Sequence, residues 1–269
     1  MPADDRAAAA FRACTAAPAA GSASRVPTLL AFDTATEGLA LALQAPGGPW
    51  WLDMPGGAAA SATLLPQAQR LLAGAGLRPA DLQFVAFGRG PGAFTGLRTA
   101  CAVAQGLGYG AGCPLLPIDS LLIVAEDARG QPGGGAAAAA DTFEIGVAMD
   151  ARMDEAYAAR YRWQGGAWHV LQAPALFTLP ALNAAWAGVA MHAVAGSAWA
   201  AFGPRLPAPG GVPVLAETGR AAALLRLALQ AAAAGAGVDA AEALPLYLRD
   251  KVAYTTQERS ALRAAAAAP

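Results

Sequence analysis

The stretch GRGPGAFTGLRTACAVAQGLG, residues 88–108, decides the fold. The apolar run 82–87 before it has the length and the β-preferring residues of a buried strand. The Gly-Pro-Gly sequence at 90–92 prevents either a strand or a helix from continuing, because glycine adopts positive φ and proline lacks a backbone donor. A helix is predicted over 95–110, so the stretch predicts a strand, a tight turn and a helix in succession.

A glycine-rich turn before a helix has two interpretations. The first amides of the helix are free to bind an anion such as a phosphate, which is the usual use of such turns in α/β domains. Alternatively, the glycines only make a tight turn from strand to helix. A single turn does not decide between these readings.

Small residues recur every four positions along the predicted helix and its end. They form one ridge, because residues four apart lie on the same face. Each glycine lowers helix propensity by about 1 kcal/mol relative to alanine, so the ridge indicates close approach of another backbone. That backbone belongs either to the chain's own sheet or neighbouring helix, or to a partner subunit. The ridge consists of Gly96, Ala100, Ala104, Gly108 and Gly112.

The composition favours a soluble, cytoplasmic protein of two α/β lobes. The chain has 269 residues, of which 56 % are hydrophobic, and a mean hydropathy of +0.37. Much of this is alanine, and the apolar runs are shorter than the roughly 20 residues of a membrane span. The net charge of -1 gives no overall attraction for nucleic acid, so any contact with tRNA is expected to be indirect.

Several catalytic classes lack the residues that they need. All 18 basic residues except Lys251 are arginines, and the lysine-containing phosphate loop GxxxxGK[ST] is absent. The three cysteines form no CxxC pair, which favours reduced thiols. With only two histidines, a multi-histidine metal site has little material. The composition therefore excludes the lysine-containing phosphate loop and leaves few residues for a multi-histidine metal site or a Ser/His/Asp hydrolase.

Shifts in composition divide the chain into five segments. Residues 1–26 are alanine-rich and are expected to be a disordered tail, as are residues 259–269. The first lobe is predicted over 27–129. The low-complexity segment 130–141 is a connector to the second lobe, which is predicted over 142–258.

Apolar periodicity predicts the elements of each lobe. In the first lobe, strands are predicted at 29–33, 39–44, near 50–54, 82–87 and 114–117, and helices at 63–75, 95–110 and 119–128. The second lobe opens with the strand FEIGVAMD and a returning strand. The rest of the second lobe is predicted as a helix at 179–187, strands at 191–195 and 212–216, and a helix at 219–234.

Two strands end in an aspartate followed by a polar turn. FDTATEG at 32–38 opens the first lobe, and the strand ending at Asp150 opens the second, which suggests a duplication. Such turns close a hairpin as Asx turns, or offer amides and hydroxyls to phosphate and a carboxylate to magnesium. Facing each other across a cleft, they would form a nucleotide clamp. The candidate phosphate contacts are Asp33, Thr34, Thr36, Gly90, Gly92 and Asp150.

The segments AFDTATEGLALAL, GPGAFTGLR and MDARMDEAYAARY, in this order and spacing, resemble the TsaB/YeaZ family of bacterial tRNA threonylcarbamoyladenosine biosynthesis proteins. The resemblance runs from about Leu29 to Tyr161 and resumes weakly at PLYLRD. It implies the α/β fold of actin, Hsp70 and the sugar kinases, the ASKHA fold, with two duplicated lobes whose mixed sheets are flanked by helices.

The resemblance also implies a function. The family serves the attachment of threonylcarbamoyl to the adenosine beside the anticodon of tRNA. Its paralogue TsaD performs the transfer with a metal held by a histidine pair, whereas the parallel segment here reads SLLIV, residues 120–124. The resemblance thus implies a non-catalytic scaffold that binds TsaD, with the ATPase TsaE in the assembly. It implies no catalytic residue, no metal site and no cofactor in this chain, and ATP or ADP only in the complex.

Family members pair with TsaD, and form homodimers when it is absent, through two helices of the first lobe. These correspond to 63–75 and 95–110 in this chain. The interface residues carried over are Leu64, Ala68, Leu71, Gly96, Ala100, Ala104 and Gly108. Many relatives have a histidine shortly before LLP, where this chain has Ala60 or Ser61.

An enzyme remains the alternative to the scaffold. An active ATPase or phosphotransferase of the same fold would use Asp33 and Asp150 around magnesium and the glycine turns around phosphate. An intermediate possibility is a scaffold that retains weak nucleotide binding in a degenerate cleft.

Overall fold

The computed structural model describes residues 26–131 and 142–249, together with the backbone of Arg12 and Ala13. The predicted tail 259–269 and most of the connector 130–141 lie outside the described residues. So does most of the predicted tail 1–26, although two of its residues form a short strand.

The first sheet is mixed. Its strands are β1 (Arg12–Ala13), β2 (Leu29–Asp33), β3 (Gly38–Ala45), β4 (Gly48–Pro55), β5 (Phe84–Gly90) and β6 (Leu115–Asp119). They lie in the order β1-β4-β3-β2-β5-β6. The strands β2, β5 and β6 are parallel, while β3 pairs antiparallel with both β2 and β4. β2 is buried along its whole length, as its apolar sequence LLAF predicts.

The second sheet repeats this pattern. It comprises β7 (Thr142–Asp150), β8 (Glu155–Gln164), β9 (Ala167–Thr178), β10 (Ala193–Ala195) and β11 (Val214–Leu215). Read from β9, the order is β9-β8-β7-β10-β11, with antiparallel pairs up to β7 and parallel pairs beyond it. The same strand order and directions occur in β4-β3-β2-β5-β6, so the predicted duplicated, mixed α/β architecture is confirmed.

Helices cover the outer face of each sheet. On the first sheet these are α1 (Ala60–Gly74) and α2 (Phe94–Ala111), and on the second α4 (Leu179–Trp186) and α5 (Ala198–Phe202). Short 3-10 turns occur at Gly57–Ala59, Pro79–Asp81, Gly203–Arg205 and Pro209–Gly211. α2 ends at Gly112, whose φ of +65° is the left-handed conformation that terminates helices. Gly112 therefore caps the helix and does not extend the predicted ridge along it.

The two remaining helices are exchanged between the lobes. α3 (Ser120–Arg129) follows the first sheet in sequence but packs on the second, where Leu121 and Val124 join the core around Phe143. α6 (Arg220–Ala233) follows the second sheet but packs on the first, with Leu224 against Leu29 and its neighbours. The two helices also pack on each other. Each lobe is thus completed by a helix from the other half of the chain.

Within 26–131 and 142–249, no helix has both the length and the apolar character needed to cross a bilayer.

Candidate functional site in the cleft between the lobes

A cleft of about 650 Å³ lies between the lobes. The first lobe contributes the turn after β2, residues 35–38, and the glycine-proline turn with the start of α2, residues 91–94. The second lobe contributes 149–153 at the end of β7 and 196–197 after β10. The two aspartate turns therefore face each other across the cleft, as the repeated pattern predicts. Arg152 Nη2 and Glu37 Oε1, 3.1 Å apart, connect them.

Asp33 lies beneath this cleft with no exposed surface. Its Oδ1 accepts a hydrogen bond from the Ala35 amide at 2.5 Å, an Asx-type contact that fixes the turn. Its Oδ2 accepts from Ser120 Oγ at 2.7 Å and from Arg220 Nη2 at 3.2 Å. Gly88 passes so close that a Cβ there would collide with the carboxylate. The carboxylate is therefore enclosed, and both of its oxygens accept hydrogen bonds from within the chain.

Arg220, the first residue of α6, is the cation of this site. Its side chain is 5 % exposed and pairs with Asp33 and, through Nη1 at 2.8 Å, with Glu217. Burial alone would lower the pKa of the guanidinium, but the two carboxylates outweigh burial and raise that pKa. Among the described residues, its Nε has no hydrogen-bond partner. Arg220 therefore stays charged and neutralises Asp33.

Two further carboxylates hold Arg220 in place. Asp53 Oδ1 accepts from the Ala221 amide at 2.9 Å, and Asp127 Oδ2 accepts from the Thr218 amide at 2.7 Å. Anionic side chains at the first amides of a helix are favourable. Burial raises the pKa of Asp53, while its bond to the Ala221 amide opposes that shift. The start of α6 is thus anchored to β4 and α3, which fixes the guanidinium beside Asp33.

Asp150 occupies the matching position in the second lobe but in a different environment. Its Oδ1 accepts from the Arg152 amide at 2.7 Å, the counterpart of the Asp33 turn. Its side chain is 21 % exposed and faces the cleft, with Arg152 Nη1 3.7 Å from Oδ2. Arg152, Met153 and Asp154 all have positive φ, between 56° and 63°. Three such non-glycine residues in succession make this a strained turn.

The remaining candidate phosphate contacts divide into two groups. Thr36 and Gly92 line the cleft together with Asp150, so these three stay candidates for a contact with phosphate. Thr34 is buried and its Oγ1 donates to the Gly96 carbonyl at 2.7 Å, while the Gly90 amide donates to Ser120 Oγ at 3.1 Å. Together with Asp33, these two residues support the cleft from beneath. None of these three residues lines the cleft, and the Asp33 carboxylate, the Thr34 hydroxyl and the Gly90 amide are bonded within the chain, so their geometry does not favour the predicted contact with phosphate.

The ridge on α2 does not face a partner. A Cβ at Gly96 would collide with the Thr34 carbonyl, and one at Gly108 would lie 2.5 Å from Leu115 Cδ2. The ridge therefore packs on the chain's own sheet, which was the alternative left open. The predicted interface is wrong for its named side chains, all of which are buried in the first lobe: Leu64, Ala68, Leu71, Gly96, Ala100, Ala104 and Gly108.

The opposite sides of the same helices are exposed. We call this surface the outer face of α1 and α2. It contains Leu65, Gln69, Arg70 and Ala73 on α1, and Arg98, Ala102, Gly106 and Tyr109 on α2. Tyr109 is 87 % exposed. No atom lies within 4 Å of a Cβ built on Gly106, so this position can accept a side chain.

Sequence reasoning missed the residues that determine the cleft's chemistry. Arg220 and Glu217 are not part of any motif, and Arg220 is 187 positions from Asp33. The sequence singles out Ser120 only as a position that parallels the metal motif of TsaD, without a role beside Asp33. The C-terminal residues Leu246, Tyr247, Leu248 and Arg249 also line the cleft. Among the residues that the structure describes, no group of three or more His, Cys, Asp or Glu is arranged to hold a metal ion.

Two sheets of the same strand order, exchanged central helices and an inter-lobe cleft with paired aspartate turns define a protein of the ASKHA class. Comparisons with known proteins then give the family. The family model of TsaD, tRNA N6-adenosine threonylcarbamoyltransferase, matches residues 57–265. The threonylcarbamoyladenosine biosynthesis protein TsaB of Escherichia coli is 32 % identical over 245 residues, which cover 84 % of this chain and 96 % of that protein.

Two further similar proteins support the same family. TsaB of Haemophilus influenzae is 36 % identical over 130 residues, covering 48 % of this chain and 52 % of that protein. A solved structure from Pseudomonas aeruginosa, described as YeaZ, is 35 % identical with a TM-score of 0.70 and covers 82 % of this chain and 100 % of that one. The chain belongs to the TsaB/YeaZ family, which takes part in tRNA threonylcarbamoyladenosine biosynthesis.

Proposed function

We propose that the chain is a non-catalytic subunit that binds a TsaD-type threonylcarbamoyltransferase, with TsaE joining the assembly, and supports transfer of threonylcarbamoyl to tRNA. The observation that carries its non-catalytic part is the ion pair of Asp33 with Arg220 beneath the cleft, while the part on TsaD and TsaE rests on the family to which the chain belongs. Because the assembly acts on tRNA, the proposal also implies a cytoplasmic protein whose contact with tRNA is indirect.

The ion pair argues against the enzyme alternative. An ATPase of this fold would use the first-lobe aspartate as a magnesium ligand, through water or directly. Here both oxygens of Asp33 accept hydrogen bonds from within the chain, and the Arg220 guanidinium already supplies the balancing positive charge. A metal ion on Asp33 would displace Arg220 and separate its buried guanidinium from one of its two carboxylates, and leaving a buried charge uncompensated is strongly unfavourable.

Some nucleotide contact remains compatible with the cleft. Thr36, Gly92 and Asp150 still line it, and Asp150 is partly exposed. We therefore keep these three as candidates for weak residual binding, with ATP or ADP acting in the assembled complex. In this proposal the chain itself carries no catalytic group and no metal.

The outer face of α1 and α2 is the proposed contact with TsaD. It combines exposed small residues, which allow a partner helix to approach, with the larger side chains of Leu65 and Tyr109. A tyrosine among small neighbours is a favourable anchor for a protein interface. The same face would mediate a homodimer when TsaD is absent.

The first test reconstitutes the modification from purified subunits. We expect threonylcarbamoyl transfer to tRNA with this chain, TsaD and TsaE together, loss of transfer when this chain is omitted, and none with this chain alone. ATP hydrolysis by the isolated chain is measured in parallel. Sustained hydrolysis that disappears in Asp33→Asn would favour the enzyme and overturn the proposal.

The second test compares matched tryptophan substitutions in one binding assay with TsaD. Ala102→Trp alters the outer face, whereas Ala185→Trp alters an exposed position of α4 on the other lobe. We expect affinity to fall at least about tenfold for the first, since a misfitting side chain at an interface centre costs more than about 1.4 kcal/mol. Ala185→Trp should bind normally. Equal affinity of both folded variants would show that TsaD binds elsewhere.

A further inference from the structure

The segment from Val238 to Arg249, which contains a turn at 240–242, runs along α2; we call it the strap. At one end, Val238 and Leu115 exchange two backbone hydrogen bonds of 2.9 Å. In the middle, the Ala243 carbonyl accepts from Gln105 Nε2 at 3.0 Å and from Cys101 Sγ at 3.3 Å. These contacts follow α2 from its C-terminal end towards its N-terminal end, so the first half of the strap belongs to the first lobe.

The strap reaches the cleft beside the glycine-proline turn. The Leu246 amide donates to the Arg89 carbonyl at 2.6 Å. The Tyr247 ring lies 5.3 Å from that of Phe94, and its hydroxyl accepts from Arg98 Nε at 3.1 Å. The strap is therefore fixed to the first lobe up to Tyr247.

Its last two described residues cross to the second lobe. Leu248 packs against the core under the second sheet. Arg249 Nη2 donates to the Ala151 carbonyl at 2.9 Å and lies 2.8 Å from Glu155 Oε2, with the side chain 14 % exposed. Arg249 Nη1 is 2.9 Å from Met153 Sδ. One side chain thus holds both ends of the strained turn that bears Asp150.

We propose that residues 238–249 act as a clasp that sets the separation of the two lobes, with Arg249 as its lock. The first-lobe part of the strap is fixed by backbone and side-chain bonds, while the grip on the second lobe depends on Arg249 and Leu248. The exposed pair of Arg152 with Glu37 also crosses the cleft, but both side chains are more than 70 % exposed, so it contributes little. Release of Arg249 frees the turn and opens the cleft.

The test compares Arg249→Ala with Arg205→Ala in the full chain. Arg205 pairs with Asp154 of the same turn at 2.9 Å, but both residues belong to the second lobe. Spin labels on p-acetylphenylalanine at Ala93 and Ala200, which line opposite sides of the cleft, report the lobe separation. This chemistry leaves Cys101 in its contact with the strap.

We expect Arg249→Ala to lengthen and broaden the distance distribution, and Arg205→Ala to leave it unchanged. Hydrogen exchange of the amides 150–155 should accelerate at least about tenfold in Arg249→Ala, because hydrogen bonds to a charged group are lost. Exchange in α1 should not change. Wild-type distances together with wild-type exchange in Arg249→Ala would overturn the clasp.

A second variant covers the case in which Arg249→Ala unfolds. Tyr247→Phe removes only the hydroxyl that accepts from Arg98, and this residue is 43 % exposed. The clasp predicts faster exchange of the amides 246–248 and a smaller change of lobe separation in the same direction. An unchanged distribution with unchanged exchange would contradict it.

Discussion

The two lobes have the same strand order, but the aspartates that end their central strands lie in different environments. Asp33 and Asp150 each end the central strand of a sheet, and each accepts a hydrogen bond from the amide two residues on. Asp33 is completely buried and paired with a guanidinium, whereas Asp150 is partly exposed and faces the cleft. The backbone of the turn has been repeated, but its chemistry has not.

The difference comes from residues outside the repeated turns. Ser120 and Arg220, which surround Asp33, are the first residues of α3 and α6, the two helices that are exchanged between the lobes. Around Asp150 the corresponding neighbours are Ser197, which accepts from its amide at 3.1 Å, and the exposed Arg152. The duplicated topology therefore determines the position of each aspartate. The residues at the N-terminal ends of the neighbouring helices determine whether its carboxylate is free to bind a ligand in the cleft.

The largest expected effect comes from removing the cation beneath the first lobe. Arg220→Ala leaves Asp33 buried without its guanidinium, and such a loss typically destabilises a protein by about 3–5 kcal/mol. Arg152→Ala removes the exposed arginine of the second turn and should change the free energy of unfolding by less than about 1 kcal/mol. Urea denaturation of both variants measures the contrast.

A double variant tests whether the unpaired charge of Asp33 causes the expected loss of stability. Arg220→Ala with Asp33→Asn removes the uncompensated charge, so part of the lost stability should return. Equal effects of Arg220→Ala and Arg152→Ala on the free energy of unfolding would contradict the difference between the two turns.

The second prediction concerns α2, which belongs to the first lobe alone. Ala104 has no exposed surface and lies in the core between α2 and the first sheet. Ala104→Trp should overpack this core and lower the free energy of unfolding by about 3 kcal/mol, the upper end of the usual range. Ala102→Trp, on the outer face, should unfold like the wild type in thermal denaturation. Normal stability of Ala104→Trp would mean that the ridge is not packed as described.

The third prediction concerns the junction of the lobes. Glu126 of α3 is fully buried and accepts from Arg129, from Arg226 of α6 at 2.5 Å and from Trp168 of β9 at 2.9 Å. Burial alone would raise the pKa of this carboxyl, but the three donors outweigh burial and lower that pKa below its ordinary value of 4.5. Glu126→Gln should therefore lose about 2 kcal/mol of stability at neutral pH.

The sign of the pH dependence follows from the lowered pKa. A carboxyl whose pKa is lower in the folded state contributes stability above its unfolded value, and that contribution disappears as pH falls through the folded value. The difference between wild type and Glu126→Gln in urea denaturation should thus shrink as pH falls below 4.5. Glu37→Gln, in the exposed pair with Arg152, is the control and should show little difference at any pH.

Local patterns predicted most of the fold. The strand at 29–33 matches β2, and the helix at 95–110 matches α2 to within one residue at each end. These two elements can be recognised in the sequence because their apolar periodicity depends only on residues close together along the chain. β9 is not among the predicted strands. Its beginning, AWHVL, is strand-like, but Pro174 interrupts the pattern.

The candidate site was less predictable. Spacing identified a ridge on α2 but not what covers it, because either a sheet or a partner could pack on Ala100 and Ala104. The pairing of Asp33 with Arg220 depends on tertiary structure between residues 187 positions apart. The strap has no periodicity, so no pattern indicated that Arg249 would reach the turn at Asp150.

The exchange of α3 and α6 has a consequence for synthesis on the ribosome. The first sheet is complete once β6 has emerged, yet the apolar face formed by Leu29, Ala31 and Leu116 awaits α6. That helix is made roughly 100 residues later, which at about 5–20 residues per second takes on the order of 5–20 s. During this interval we expect the nascent first half to expose this apolar face to solvent. It should therefore depend on chaperones that bind emerging chains.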